Sequence, residues 1–192
     1  SINRGVEQLA AVREAVGPDF DIIVEIHGKA NPLAAIEFCN RVEEFRPLWV
    51  EEATQLESEV IEEARQIRQQ TRVPLATGER LCSRYDFAPL CSERLVDVIM
   101  PDVVHVGGIL EMKKIAALAE CNNLKITSHG VHDLHVHLLA AVPNKSYLEV
   151  HGFGLERFIA DPLSIKEGFA TAPDPPRHGV VFDWEALENM RT

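Results

Sequence analysis

Along the chain, short runs rich in Val, Ile and Leu alternate with longer stretches in which apolar residues recur at helical spacing. Residues 6–16, VEQLAAVREAV, place Leu9, Val12 and Val16 on one helical face. They lead through GPD into DIIVEI, a predicted strand. The next stretch, NPLAAIEFCNRVEEF, opens with Asn31 as an N-cap and Pro32 at the first helical position, where a missing N–H costs nothing. The alternation then repeats as strand PLWVEEA, helix 58–71, strand VPLATGE, helix 83–93, strand VDVIMPDV, helix 108–121, strand LKITSHG, helix 133–141 and strand YLEV. Six strands separated by helices, with no low-complexity segment between them, predict parallel β/α units. The expected organisation is a single domain over residues 1–192, with the β/α units in 1–150 and a C-terminal segment in 151–192.

The polar residues decide which parallel fold is expected. Each apolar strand ends in a group able to bind a metal or move a proton: Glu25, Glu51, Glu79, Asp102, His129 and Glu149, spaced by 20 to 28 residues. That spacing is near the ~30 residues per unit of a (β/α)8 barrel of about 250 residues. One such group per strand end describes a ring around a barrel mouth. A doubly wound sheet would carry a glycine-rich phosphate turn after its first strand, and HGKANP is not GxGxxG. The fold expected is therefore α/β, a TIM-type (β/α)8 barrel represented by about six units.

Composition narrows the partners. The 192 residues are 46% hydrophobic, enough for a real core, and carry a net charge of −11 with the acids scattered, which argues against nucleic acid. Cys39, Cys82, Cys91 and Cys121 have no CxxC spacing, and three lie in helical patterns, so reduced thiols and a cytoplasmic location are expected. No apolar stretch approaches the ~18 residues of a membrane span, and the N-terminus shows no charged-then-apolar signal pattern.

Taken in order and spacing, VEIHGK, LWVEEA, TGERLCSRYDF, IMPDVVHVGG, SHG and YLEV resemble the barrel of the enolase superfamily, specifically its mandelate racemase subgroup. His27, on the first of these strands, looks like that of the acid-sugar dehydratases of the galactonate and gluconate type. The resemblance extends through the tail PPRHGVVFDWEAL.

The resemblance implies Mg2+ held by Glu25, Glu51 and Glu79, three hard oxygen ligands of the kind Mg2+ prefers. It implies His129 as general base, Asp102 as the group that orients it, and Glu149 as an acid bonded near the substrate carboxylate. His27 would then protonate a departing hydroxyl. The activity implied is dehydration of a sugar acid to a 2-keto-3-deoxy acid. A racemase or epimerase of the same subgroup, or a non-catalytic barrel fragment, are the alternatives.

Further residues stay open between substrate contact and surface pairing: Lys29, Arg80, Arg84 and His105. HDLHVH (132–137) looks like a metal cluster, but on a helix His135 and His137 lie about 200° apart, so solvated or pocket-rim histidines are expected. Two departures from the family stand out. The first ligand position holds Glu25 where Asp is usual, and by the resemblance the first two strands, a lysine pair on the second, and the N-terminal capping domain are absent. The chain is thus expected to be part of a longer protein, or to need a partner or further copies of itself as a homo-oligomer to close its edges.

Overall fold

The computed structural model describes residues 1–55, 61–152, 155–174 and 178–191. In chain order the main elements are α1 (Ile2–Val16), β1 (Ile23–Glu25), α2 (Pro32–Val42), β2 (Trp49–Glu51), α3 (Ile61–Gln70), β3 (Leu75–Thr77), α4 (Arg84–Ser92), β4 (Val98–Ile99), α5 (Ile109–Cys121), β5 (Lys125–Ile126) and α6 (His132–Ala140). The C-terminal segment adds the two-stranded antiparallel ribbon β6 (Ile165–Lys166) and β7 (Phe169–Ala170), and the short helix α7 (Trp184–Glu188). Residues 58–60 of the helix predicted over 58–71 lie outside the described residues.

Strands β1 to β5 form one parallel sheet in sequential order. A sixth strand does not form: YLEV continues as an extended segment whose link to β5 is a single parallel bridge between Lys145 and Ile126. The N–H of Ile126 donates to the Asn144 carbonyl at 3.0 Å, and that of Ser146 to the Ile126 carbonyl at 2.7 Å. Parallel strands have both faces covered, and accordingly every residue of β2, β3 and β4 is buried, whereas the edge strand β1 is not.

Strand alternation sorts the side chains. Val50, Leu75, Ile99 and Ile126 join the main core beneath the helices, with Phe87, Leu90 and Ile115. Full burial of side chains of this size is worth about 1.5–3 kcal/mol each. Trp49, Ala76 and Val98 form a smaller cluster on the opposite face. Period two therefore puts Glu51 on the Trp49 face and Glu52 on the helix side. In register, Glu25 pairs with Glu51.

The sheet curls. Although β1 and the segment after β5 lie at opposite edges, the Tyr147 hydroxyl donates to the Asp21 carboxylate across 126 positions, and the Tyr147 and Trp49 ring centroids are 6.3 Å apart. Outside β1, an apolar cleft of about 730 Å3 is lined by Leu9, Val12, Ile23, Val24 and Phe38. No helix among the described residues is long and apolar enough to cross a membrane. Cys39 and Cys91 are buried and Cys82 and Cys121 exposed, and none of the four forms a disulfide.

Candidate functional site

The curled face encloses a cavity of about 400 Å3 at the C-terminal ends of the strands, lined among others by Glu25, His27, Trp49, Glu51, Glu79, His129, Glu149 and His151. Six of the expected site residues thus meet in one place. Only Glu25 and Glu51 end strands, however. Glu79, Asp102 and His129 sit in the loops that follow β3, β4 and β5, where the backbone has left the sheet.

The three glutamates crowd one another. Glu51 is buried and takes the Trp49 indole N–H on Oε2 at 2.9 Å. Burial, a hydrogen bond shared with Glu25, and the charges of Glu25 and Glu79 push the Glu51 carboxyl up to about 8, against only partial opposition from Trp49.

His129 and Asp102 form a close pair, with Nδ1 of the imidazole 2.9 Å from Asp102 Oδ2. Asp102 is buried, which raises its carboxyl, but the hydrogen bonds from His129 and from the Val104 N–H at 2.7 Å outweigh burial and leave it below the usual carboxylate range. The same Asp102 bond raises the His129 imidazole over the opposing effect of burial, helped by the charges of Glu79 and Glu149. His129 Nε2 lies 3.5 Å from Glu79 Oε2. Glu149 is tied to this loop through Oε2, which accepts the Gly130 N–H at 2.7 Å. Gly130 has φ +81°, and a β-carbon there would stand 2.5 Å from Asp102 Oδ2. Only glycine lets that carboxylate approach.

The turn after β1 answers differently from strand alternation. His27 is past the strand, in the left-handed region at φ 57°, with its N–H donating to Glu25 Oε1 and its Nδ1 3.6 Å from the same oxygen. The backbone turn, rather than period two, brings the imidazole beside Glu25. Donor atoms of Glu25, His27 and Glu79 all lie within 4.8 Å of one another. Glu79 is therefore the carboxylate shared by the His27 and His129 ends of the cavity.

The remaining expected contacts lie outside the cavity lining. Lys29 lines the apolar cleft beyond β1 and a shallow neighbouring pocket. Arg80 is exposed, with Nε 3.5 Å from Glu79 Oε1. His105 is exposed and its Nδ1 meets the Glu79 carbonyl at 2.7 Å. Arg84 is taken by Glu111, at 2.6 and 2.8 Å, so it does not pair with the cavity acids. The HDLHVH expectation is corrected too: His135 is fully buried, with Nε2 accepting the Val103 N–H at 3.1 Å, and burial lowers its imidazole to about 4. It supports the backbone next to Asp102.

Two residues escaped the sequence. Glu52 is almost fully buried; its carboxylate accepts from the Thr77 hydroxyl and the Gly78 N–H, and its carbonyl accepts the Gly28 N–H at 2.7 Å. It thereby joins the loops on either side of Glu51, and no sequence signal separates it from Glu51 except strand parity. His151 lies two residues beyond Glu149, the same-face offset of a strand, which is the signal that could have found it.

A curled parallel sheet with carboxylates and a His–Asp pair gathered at one end places this protein among β/α folds that carry their chemistry at the strand C-termini. The chain belongs to the enolase C-terminal domain-like family, whose sequence profile matches residues 1–186. It is 39% identical over 189 residues to 3,6-anhydro-alpha-L-galactonate cycloisomerase of Streptomyces coelicolor, covering 98% of this chain and 52% of that protein. It is 36% identical to D-gluconate dehydratase of Thermoproteus tenax, over 99% of this chain and 40% of the relative. Among solved structures, a Streptomyces coelicolor racemase with bound magnesium superposes with TM-score 0.92 at 36% identity, over 98% of this chain and 52% of that one. The chain spans about half the length of the curated relatives it matches.

Proposed function

We propose that this chain supplies the acid–base half of a sugar-acid dehydratase, and that its five-stranded sheet is part of a (β/α)8 barrel. One observation carries the reading: Glu79 stands between two imidazoles, 3.5 Å from His129 and in the Glu25–His27 cluster, so a base and an acid face one cavity. The relatives supply the substrate class, a sugar acid.

The donor set fits Mg2+. Glu25, Glu51 and Glu79 offer hard carboxylate oxygens whose mutual repulsion, seen in the raised Glu51 carboxyl, a divalent cation relieves. When bound, Mg2+ supplies positive charge that stabilises the ene-diolate developing on the substrate. The chain's own groups do the rest. His129, oriented through Nδ1 by Asp102, takes the α-proton at Nε2. The electron pair released passes toward the carboxylate to give the ene-diolate, whose collapse forms the C2–C3 double bond as the C3–O bond breaks, and His27 delivers a proton so that the hydroxyl leaves as water. The resulting enol tautomerises to a 2-keto-3-deoxy acid.

The cycloisomerase relative favours a second reading. If the C3 oxygen belongs to an anhydro bridge, the same elimination opens a ring and nothing is lost as water. Incubating the full-length protein with a panel of linear and 3,6-anhydro sugar acids in D2O tests both. Loss of water with a 2-keto-3-deoxy product supports dehydration; a 2-keto-3-deoxy product isomeric with the substrate supports ring opening; deuterium at C2 with no keto product supports racemisation. No exchange with any acid sinks the proposal.

A further inference from the structure

Next to the glutamates is a second, chemically different cluster. Donor atoms of His129, Glu149 and His151 lie within 4.8 Å of one another. Two of the three are imidazoles, ligands suited to Zn2+, Cu2+ and Ni2+ rather than to Mg2+. We infer that His129, Glu149 and His151 form a binding site for a borderline transition-metal dication such as Zn2+, distinct from the carboxylate set of Glu25, Glu51 and Glu79, and that its occupation inhibits the enzyme by taking the Nε2 lone pair of His129.

Four features support it. Nδ1 of His129 is engaged by Asp102 at 2.9 Å, leaving Nε2 toward the cavity, and an imidazole backed by a carboxylate in this way is the usual form of a metal-binding histidine. Glu149 spends Oε2 on the Gly130 N–H and presents Oε1 3.9 Å from His151 Nε2. The His129 and His151 rings meet edge-on, with centroids 5.8 Å apart and planes inclined by 75°, so they do not stack their faces against one another. The side chains are 18%, 33% and 32% exposed for His129, Glu149 and His151, buried enough to be held and open enough for an ion to enter.

Charge points the same way. Glu25, Glu51, Glu79, Asp102 and Glu149 bring five carboxyl groups to this mouth, more than one divalent ion neutralises once all have given up their protons, and Arg80 and His129 are the basic groups within 3.5 Å of Glu79 among the described residues. Three protein ligands with an open position make a site that exchanges its fourth ligand.

The site itself is independent of the reaction; its inhibitory effect rests on the reading of His129 as base. The test uses full-length protein saturated with Mg2+. Co2+, a visible stand-in for Zn2+, is added and followed by absorption, and Zn2+ by calorimetry. Co2+ is expected to bind without displacing Mg2+ and to give the intense bands of a low-coordinate, nitrogen-bearing site. His151→Ala and His151→Gln are each expected to weaken Co2+ and Zn2+ by more than the ~10- to 100-fold that loss of an outer partner costs, with Mg2+ affinity retained as the check on folding. Co2+ that fails to bind, that competes one-for-one with Mg2+, or that binds both folded His151 variants as tightly as the unaltered protein overturns the site. Zn2+ is then expected to stop α-deuterium exchange in the unaltered protein but not in His151→Gln. Exchange that continues with the site demonstrably filled overturns the inhibition, and with it His129 as base, while the site stands.

Discussion

Asp102 Oδ2 lies 2.9 Å from His129 Nδ1, and the carboxylate can stand there only because residue 130 has no side chain. Replacing His129 with Asn is expected to abolish exchange of the substrate α-proton with solvent deuterium. Asp102→Asn is expected to slow the same step by about 10²- to 10⁴-fold, the range of general-base assistance, because the imidazole loses the partner that sets its orientation and basicity. Exchange at the original rate in either variant removes that residue from the step.

Gly130→Ala tests the same pair without touching either member. Its β-carbon would collide with Asp102 and its φ of +81° is costly for alanine. A loss of about 1–3 kcal/mol in denaturant unfolding is expected, together with slowed exchange. Unchanged exchange in a variant that is destabilised would mean that the dyad tolerates displacement.

Glu51 gives a pH signature. Its carboxyl rises from 4.5 to about 8 on folding, so between those values the folded chain holds a proton that the unfolded chain has lost. Stability in metal-free buffer is then present at low pH and declines as pH rises through about 8. Melting temperature is expected to fall over that interval, and Mg2+ to restore it. Glu51→Gln is expected to flatten the decline and to weaken Mg2+ binding; a variant with unaltered Mg2+ affinity would remove Glu51 from the ligand set.

His27→Asn separates leaving-group assistance from proton abstraction. Dehydration is expected to slow by about 10²- to 10⁴-fold while α-deuterium exchange survives, and a substrate with fluoride at the β-carbon is expected still to eliminate. Because His27 sits within 4.8 Å of Glu25 and Glu79, Mg2+ affinity is measured alongside. Loss of exchange, fluoride elimination and metal affinity together would make His27 a ligand or turn residue instead of an acid.

Glu52 is the strut between neighbouring loops. Glu52→Gln keeps an oxygen for the Thr77 hydroxyl and the Gly78 N–H and is expected to retain Mg2+ affinity, whereas Glu52→Ala leaves both donors unmet and is expected to lose about 1–3 kcal/mol of stability. Equal stability of the two variants in thermal unfolding would remove the strut.

Much of this was legible in the linear pattern. The alternation of strand and helix, the N-cap at Asn31 confirmed by its 2.9 Å bond from the Ala34 N–H, and the placing of Glu25, Glu51, Glu79, His129 and Glu149 at one end of the sheet all follow from local periodicity and the order of residue types. Such signals survive in sequence because they arise between near neighbours. Tertiary structure decided what depends on distance between separate segments. It turned Glu51 toward the cavity and Glu52 behind the sheet, buried His135 where solvent exposure was expected, spent Arg84 on Glu111, and reduced the sixth strand to a single bridge. It also brought His151 beside His129 and Glu149. Period two defines relative faces but neither burial depth nor which loops meet, because those are settled by the curl of the sheet and the packing of helices against it.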